Sequence, residues 1–374
     1  MFNRAIAAFA FAALATALQT RPASAIPLFA QRFHLECTAC HSVLPELNAF
    51  GNWFRDHGYR IPGLAEHGTT HVAVRYQLEY DKTPPSGSRR YSQGGILLSS
   101  EEVGAVNEYL HYNLGAGGGP SAMYLGYLAA YDARSHSMYR AGLIELPVPQ
   151  SPGQRLDDLA TYGYYGQHVG LNALTFQQPR VGLEDEKTVG VVRLTGLVDF
   201  GEFNGSAYGG APVFTGVSSY AAAPEFGLFV RVPAGDFAEV GVQGLTGVRN
   251  ITPLGLPSFD DPYGRRSIFG HARYRFIDLQ AEQWWGDDGD ADGRGTHVGS
   301  SGGYVRLKLY PVDHAYLGVR YDASAAPFPS RDYVFYAAGQ IWHTRLLLER
   351  RQPLGGGIGT FEGALTVGFP GPLK

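Results

Sequence analysis

The stretch "THVAVRYQLEY", Thr70 to Tyr80, sets Val72, Val74, Tyr76, Leu78 and Tyr80 on one face and His71, Arg75, Gln77 and Glu79 on the other. A period of two means a strand with a different environment on each side. The alternation returns in "VVRLTGLVDF" from Val191 to Phe200 and in "FEGALTVGF" from Phe361 to Phe369. In "YVRLKLY" from Tyr304 to Tyr310, Val305, Leu307 and Leu309 oppose Arg306 and Lys308. The polar members are large and charged, which does not suit the dry core of a sandwich. They suit the wet interior of a barrel whose apolar face meets lipid.

Working outward, the breaks between such runs alternate in length. Short ones fall near residues 134–137, 184–187, 233–236, 276–278, 311–313 and 342–344. Long segments rich in Gly, Pro and Asp fall at 149–176, 201–224, 249–266, 287–301, 323–331 and 351–359. Short turns on one side and long loops on the other describe an outer-membrane barrel, and the count predicts about sixteen antiparallel strands over residues 70–374, with both chain ends in the periplasm. Composition agrees, with 50 glycines, 23 tyrosines and 21 phenylalanines among 374 residues. No run after the first 25 residues reads as a membrane-spanning helix, so a bilayer must be crossed by strands. The alternative is a large soluble all-β protein, against which stand the aromatic load, the charged inward faces and the N-terminus.

That N-terminus, "MFNRAIAAFAFAALATALQTRPASAIP", carries Arg4, an apolar run from Ala5 to Leu18, Pro22, and small residues at Ala23 and Ala25. It reads as a secretory signal over residues 1–25, with the mature chain starting at Ile26. Its removal takes two positive charges from a chain of net charge −4. Nothing in this balance points to a nucleic-acid partner.

Both cysteines of the chain lie in "CTACH", Cys37 to His41. C-x-x-C-H is the attachment pattern of a c-type haem. Cys37 and Cys40 would form the covalent thioethers, and His41 would be held under the iron as its proximal ligand. A disulfide or redox pair, or a zinc site using both cysteines, His41 and His34, are the competing readings. A redox pair lacks its α/β context, and zinc does not explain why the histidine follows the second cysteine directly.

Residues 26–69 are too few for an independent core. A helix predicted from Pro45 puts Leu47, Phe50 and Phe54 on one face. That face needs cover, so the segment is expected to plug the periplasmic mouth of the barrel. For the sixth iron ligand no methionine of the segment exists, and His57 and His71 are the candidates beside an open or weakly ligated iron; His34 and His67 are less favoured.

The haem motif together with Pro45, "LNAFG" from Leu47 to Gly51, Phe54, Gly58 and Tyr59, ahead of a porin-like remainder, resembles the fused monohaem cytochrome–porin family of iron-oxidising bacteria, the outer-membrane Fe(II) oxidases. Close motif similarity covers some thirty residues; the barrel is similar mainly in layout. The resemblance implies one covalent haem c, electron flow from extracellular Fe(II) to a periplasmic electron carrier, and a position in outer-membrane lipid. Such an oxidoreductase needs no general acid, base or nucleophile. The alternatives are a diffusion porin with a structural or sensory haem segment, or the same conduit serving another donor.

One further motif stands apart. Asp288, Asp290 and Asp292 alternate before Gly293 like the first half of a calcium loop. The completing glutamate is missing, since Gly299 stands there. The reading is an exposed acidic loop, either a solvated turn or a weak divalent-cation site.

Overall fold

The computed structural model describes residues 27–33, 35–43, 46–61, 64, 72–82, 89–103, 105–114, 122–150, 162, 165, 169–172, 174–176, 179–202, 217–235, 237–312, 314–326, 329–341 and 344–369. The signal at 1–25, His34, His67 and His71 lie outside them.

The chain forms a closed barrel of sixteen antiparallel strands. Among the described residues three short helices come first: α1 (Pro27–Arg32), α2 (Cys37–Cys40) and α3 (Ala49–Asp56), with a small pair of strands, β1 (His41–Val43) and β2 (Glu46–Leu47), between the second and third. The wall begins with β3 (Val72–Lys82), β4 (Arg89–Val103), β5 (Val106–Leu114), β6 (Ala122–Asp132), β7 (Ser137–Ile144), β8 (Arg180–Val189) and β9 (Val192–Glu202). A five-residue strand, β10 (Val217–Ala221), then lies along the far end of β12 (Ala238–Pro253), ahead of β11 (Glu225–Pro233) on the same neighbour. The wall continues through β13 (Phe259–Tyr274), β14 (Ile277–Asp288), β15 (Val298–Val312), β16 (Ala315–Ala326), β17 (Ser330–Ile341), β18 (Thr344–Pro353) and β19 (Thr360–Phe369). Pairing of β11 with β9 and of β19 with β3 closes the ring, so the described strands leave no free edge along it. The last strand meets the first with Phe369 opposite Val74, so both ends of the wall lie at the short-turn rim.

Burial runs opposite to that of a soluble protein. Val305 and Leu309 are 50% and 40% exposed while Arg306 and Lys308 between them are 2% and 0%. In β14 the inward set is Asp278, Gln280, Glu282, Trp284 and Asp288, all buried, and Ile277, Leu279 and Trp285 point out. Apolar atoms gain nothing from facing water, so this outer wall is made for lipid. Exposed Phe237, Tyr274 and Phe276 cluster at the short-turn rim between β11 and β14, and exposed Phe200, Phe226 and Trp285 lie toward the other end, as aromatic girdles of such a wall would place them. Above the second set the outward residues turn polar, as at the exposed Arg266–Asp287 pair.

One of the expected short turns is displaced. Residues 184–187 read as a break because all four are charged, yet they lie inside β8. Glu184 and Glu186 point inward, where both contact Arg140 and Glu186 also reaches Arg193 at 3.5 Å. The turn comes at Gly190, whose φ of +62° is ready for a tight reversal that a β-branched residue resists.

Candidate functional site

The N-terminal helices pack into the barrel at its short-turn end. Phe54 of α3 meets Phe29 edge-on at 5.2 Å and Phe33 at 5.5 Å, tying α1 to α3. Arg32 of α1 donates to the Ser100 carbonyl of β4. Asp56 at the end of α3 accepts from Arg55 at 2.9 Å and from Arg193 of β9 at 2.6 Å. Burial alone favours a neutral Asp56, but the guanidiniums of Arg55, Arg193 and Arg140 outweigh it and hold the carboxyl well below the usual carboxylate range.

Helix α3 starts four residues after Pro45, the predicted start, because Asn48 is its N-cap and accepts from the Gly51 N–H at 2.9 Å. Leu47 therefore sits in β2, not on the helix. The same Asn48 holds the haem motif: its side-chain amide donates to the Ala39 carbonyl at 3.0 Å and its backbone N–H to the Cys40 carbonyl at 2.9 Å. Gly51 lets the two helices touch, since a Cβ there would lie 2.0 Å from the Cys40 carbonyl oxygen. At the other end Gly58, with φ +66°, closes α3. Tyr59 N–H reaches the Phe54 carbonyl at 2.9 Å and Gly58 N–H reaches that of Arg55 at 3.1 Å, a Schellman closure with its Tyr59–Phe54 ring contact. Tyr59 is thereby delivered to the wall, stacked on Tyr109 at 5.4 Å with its hydroxyl 3.3 Å from that of Tyr127.

His41 and His57 line one cavity of about 1510 Å³ at the short-turn mouth, together with Trp53, Arg193, Arg231 and His271. The His57 ring lies between Trp53 at 4.3 Å and Tyr131 at 4.5 Å. Its Nδ1 is 2.7 Å from the Trp53 carbonyl. A carbonyl only accepts, so Nδ1 carries a hydrogen, and in the neutral ring Nε2 keeps the lone pair. Cys37 and Cys40 bound the single turn of α2 that leads into His41. Burial pushes the Cys40 thiol up to about 11, the reverse of what a redox-active cysteine pair needs.

The cavity ends where the connection after β7 turns inward. Leu146 and Val148 are buried in the lumen, and Gln150 donates to Gln280 of β14 at 2.7 Å. Beyond it, the described residues of the connection lie against β13 to β15. Tyr162 accepts from Arg306, Tyr165 donates to Glu282 at 2.8 Å, and Phe176 packs on Trp284 at 4.1 Å. Asn172 reaches Asp261 at 2.9 Å and Asp288 at 3.1 Å near the long-loop rim. The sequence marks this stretch as a long loop, but its inward course was not read. The aromatic residues in "YGYYG", Tyr162 to Gly166, were the available signal.

The three aspartates of the acidic motif are not brought together as ligands. Asp288 belongs to β14, is fully buried and binds Arg265 at 2.8 Å. Asp290 accepts from the Gly295 N–H at 2.7 Å, and Asp292 from Thr296 Oγ1 at 2.8 Å. Among the described residues no group of three or more His, Cys, Asp or Glu is set to hold a metal ion. The exposed acidic loop expected here is thus partly an interior wall, because Asp288 falls on the inward phase of its strand.

No protein-family model and no curated protein matches the sequence. Among solved structures the chain is similar to the anion-selective porin from Comamonas acidovorans, with a TM-score of 0.58 at 9% identity over 80% of this chain and 99% of that one. It is also similar to the outer membrane channel DcaP of Acinetobacter baumannii, TM-score 0.54 at 10% identity over 80% and 96%. A loop-deletion mutant of OmpT, an outer membrane protein of Vibrio cholerae, gives 0.54 at 10% identity over 80% and 98%. The likeness is one of fold: a porin-type barrel.

Proposed function

We propose that this chain is an outer-membrane electron conduit. It would hold one covalent haem c at its short-turn mouth, take electrons from an extracellular reductant, foremost Fe(II), and deliver them to a periplasmic electron carrier. The observation that carries this reading is the turn Cys37–Cys40 leading into His41 at the wall of a large cavity, locked there by Asn48 and Gly51. The residues present suit the group: Cys37 and Cys40 for the thioethers, His41 for the proximal position, Trp53 as an apolar contact, and a buried guanidinium at Arg231.

A haem bound there supplies a one-electron couple. His41 would ligate, Trp53 and Tyr131 would hold the His57 ring, and the inserted connection would bar bulk water from the long-loop side. His57, whose Nε2 is unprotonated in the neutral ring with Nδ1 hydrogen-bonded, is favoured for the sixth position; His71 remains the other candidate. The apolar outer wall and the exposed aromatic residues toward both its ends support insertion in the outer membrane. The even strand count and the short-turn position of both wall ends support periplasmic termini.

The test is the spectrum of the purified protein and its reduction when mixed with Fe(II) near neutral pH. C-type bands reduced rapidly by Fe(II) support the oxidase. Bands reduced by dithionite alone keep the conduit and remove iron as its donor. His57→Ala should turn a six-coordinate spectrum high-spin while leaving haem content unchanged. A diffusion porin is the second reading, favoured by the barrel's likeness to porins, and appreciable solute flux through the parent protein would select it.

A further inference from the structure

Arg231 lies on the inward face of β11, 6% exposed, and lines the short-turn cavity. It stands directly across from Arg193 in the pairing of β11 with β9. Like charges opposite one another repel, and the two are treated differently. Arg193 faces two carboxylates, Asp56 and Glu186. Among the described residues Arg231 meets no carboxylate: one terminal nitrogen donates to the Pro147 carbonyl, the Phe269 ring lies 6.0 Å from the guanidinium carbon, and buried Nε has no partner. A guanidinium removed from water without a counter-ion is costly unless an anion meets it, and its planar fork matches a carboxylate.

We infer that Arg231 is the seat of a carboxylate in the cavity. On the haem reading, on which this source rests, that carboxylate is a propionate of the group attached at Cys37 and Cys40; the other source is a free carboxylate solute entering from the short-turn side. Arg231 is then a positioning residue whose charge bears on the iron. Its removal lowers the local positive potential, favours the oxidised state and lowers the midpoint potential.

The experiment is redox titration of the haem-loaded parent, Arg231→Gln and Arg231→Lys. The expected result is a midpoint fall in Arg231→Gln near a tenfold change in the oxidised-to-reduced ratio, about 59 mV for one electron, with Arg231→Lys recovering most of it. Equal potentials in all three, at equal haem content, overturn the haem-propionate assignment and, in a haem-loaded protein, the proposal. If the purified protein carries no haem, the haem reading fails separately, and acetate titration followed by Trp53 fluorescence decides the remaining source. A saturable response weakened tenfold or more in Arg231→Gln supports a free carboxylate; identical responses overturn the seat altogether.

Discussion

At the scale of single residues, the C-x-x-C-H motif is held by contacts that allow little substitution. Gly51 has no room for a methyl group, because the nearest atom is the backbone oxygen of Cys40. Gly51→Ala must shift α2 or α3, at about 1–3 kcal/mol for overpacking, and should lower haem content per chain in a pyridine haemochrome assay while the barrel still folds. Asp56 gives a pH dependence. Its carboxyl is held well below the usual range in the folded protein, so the stability it lends is complete above about pH 4, the unfolded value, and is lost as pH falls through the folded value. Limited proteolysis of the N-terminal segment should therefore begin below about pH 4 in the parent. Asp56→Asn leaves Arg55 and Arg193 short of a counter-ion, at about 3–5 kcal/mol for a broken buried pair and toward the low end because Arg193 is partly exposed. That variant should be cleaved already at neutral pH, with a flat acid profile. On the proposed haem reading the motif residues are legible because thioether chemistry would fix their spacing. Arg231 is not, since its lack of a carboxylate partner among the described residues depends on which strands become neighbours across a sheet.

At the scale of elements, the strands were readable and the connections less so. Alternation in β3 and β15 shows in sequence because each strand has two environments, whereas the turn in 190–191 was displaced by charges that serve as inward ion pairs. The connection after β7 shows the same limit more strongly: its length is visible, its inward contacts are not, since those of Gln150, Tyr165 and Asn172 rest on partners 89 to 130 residues away. It is held by discrete contacts, above all Asn172 with Asp261 and Asp288, and Tyr165 with Glu282. Each hydrogen bond to a carboxylate is worth about 1.5–3 kcal/mol. The double variant Asn172→Ala with Tyr165→Phe should loosen the segment, and at the edge of the N-terminal cavity the Gln150 N–H loses the Tyr165 hydroxyl that it reaches at 3.4 Å. In planar bilayers the parent should show little conductance and the double variant clearly more. Equal, large conductance in both would mean the segment does not close the lumen.

At the scale of the whole molecule, the two insertions divide the barrel into unequal halves. The N-terminal helices and their cavity occupy the short-turn mouth, and the connection after β7 fills the wall side from Gln280 up to Asp288. A group carried at His41 is then reached directly from the short-turn side and only across the inserted segment from the other. The alternation of short and long breaks, legible in the sequence, tells the two rims apart, and the even strand number puts both wall ends on one of them; the division of the lumen was not legible, because it is made by parts that leave the wall. A kinetic asymmetry follows for a conduit of this construction. In vesicles holding the haem-loaded protein in one orientation, a membrane-impermeant ferrous chelate added at the short-turn side should reduce the haem at a rate indifferent to the Asn172→Ala, Tyr165→Phe change. Added at the long-loop side, it should reduce the parent more slowly and the variant faster, since loosening the segment shortens the approach of donor to acceptor. Equal rates from both sides in the parent, unchanged in the variant, would place the electron entry point elsewhere than through the filled lumen.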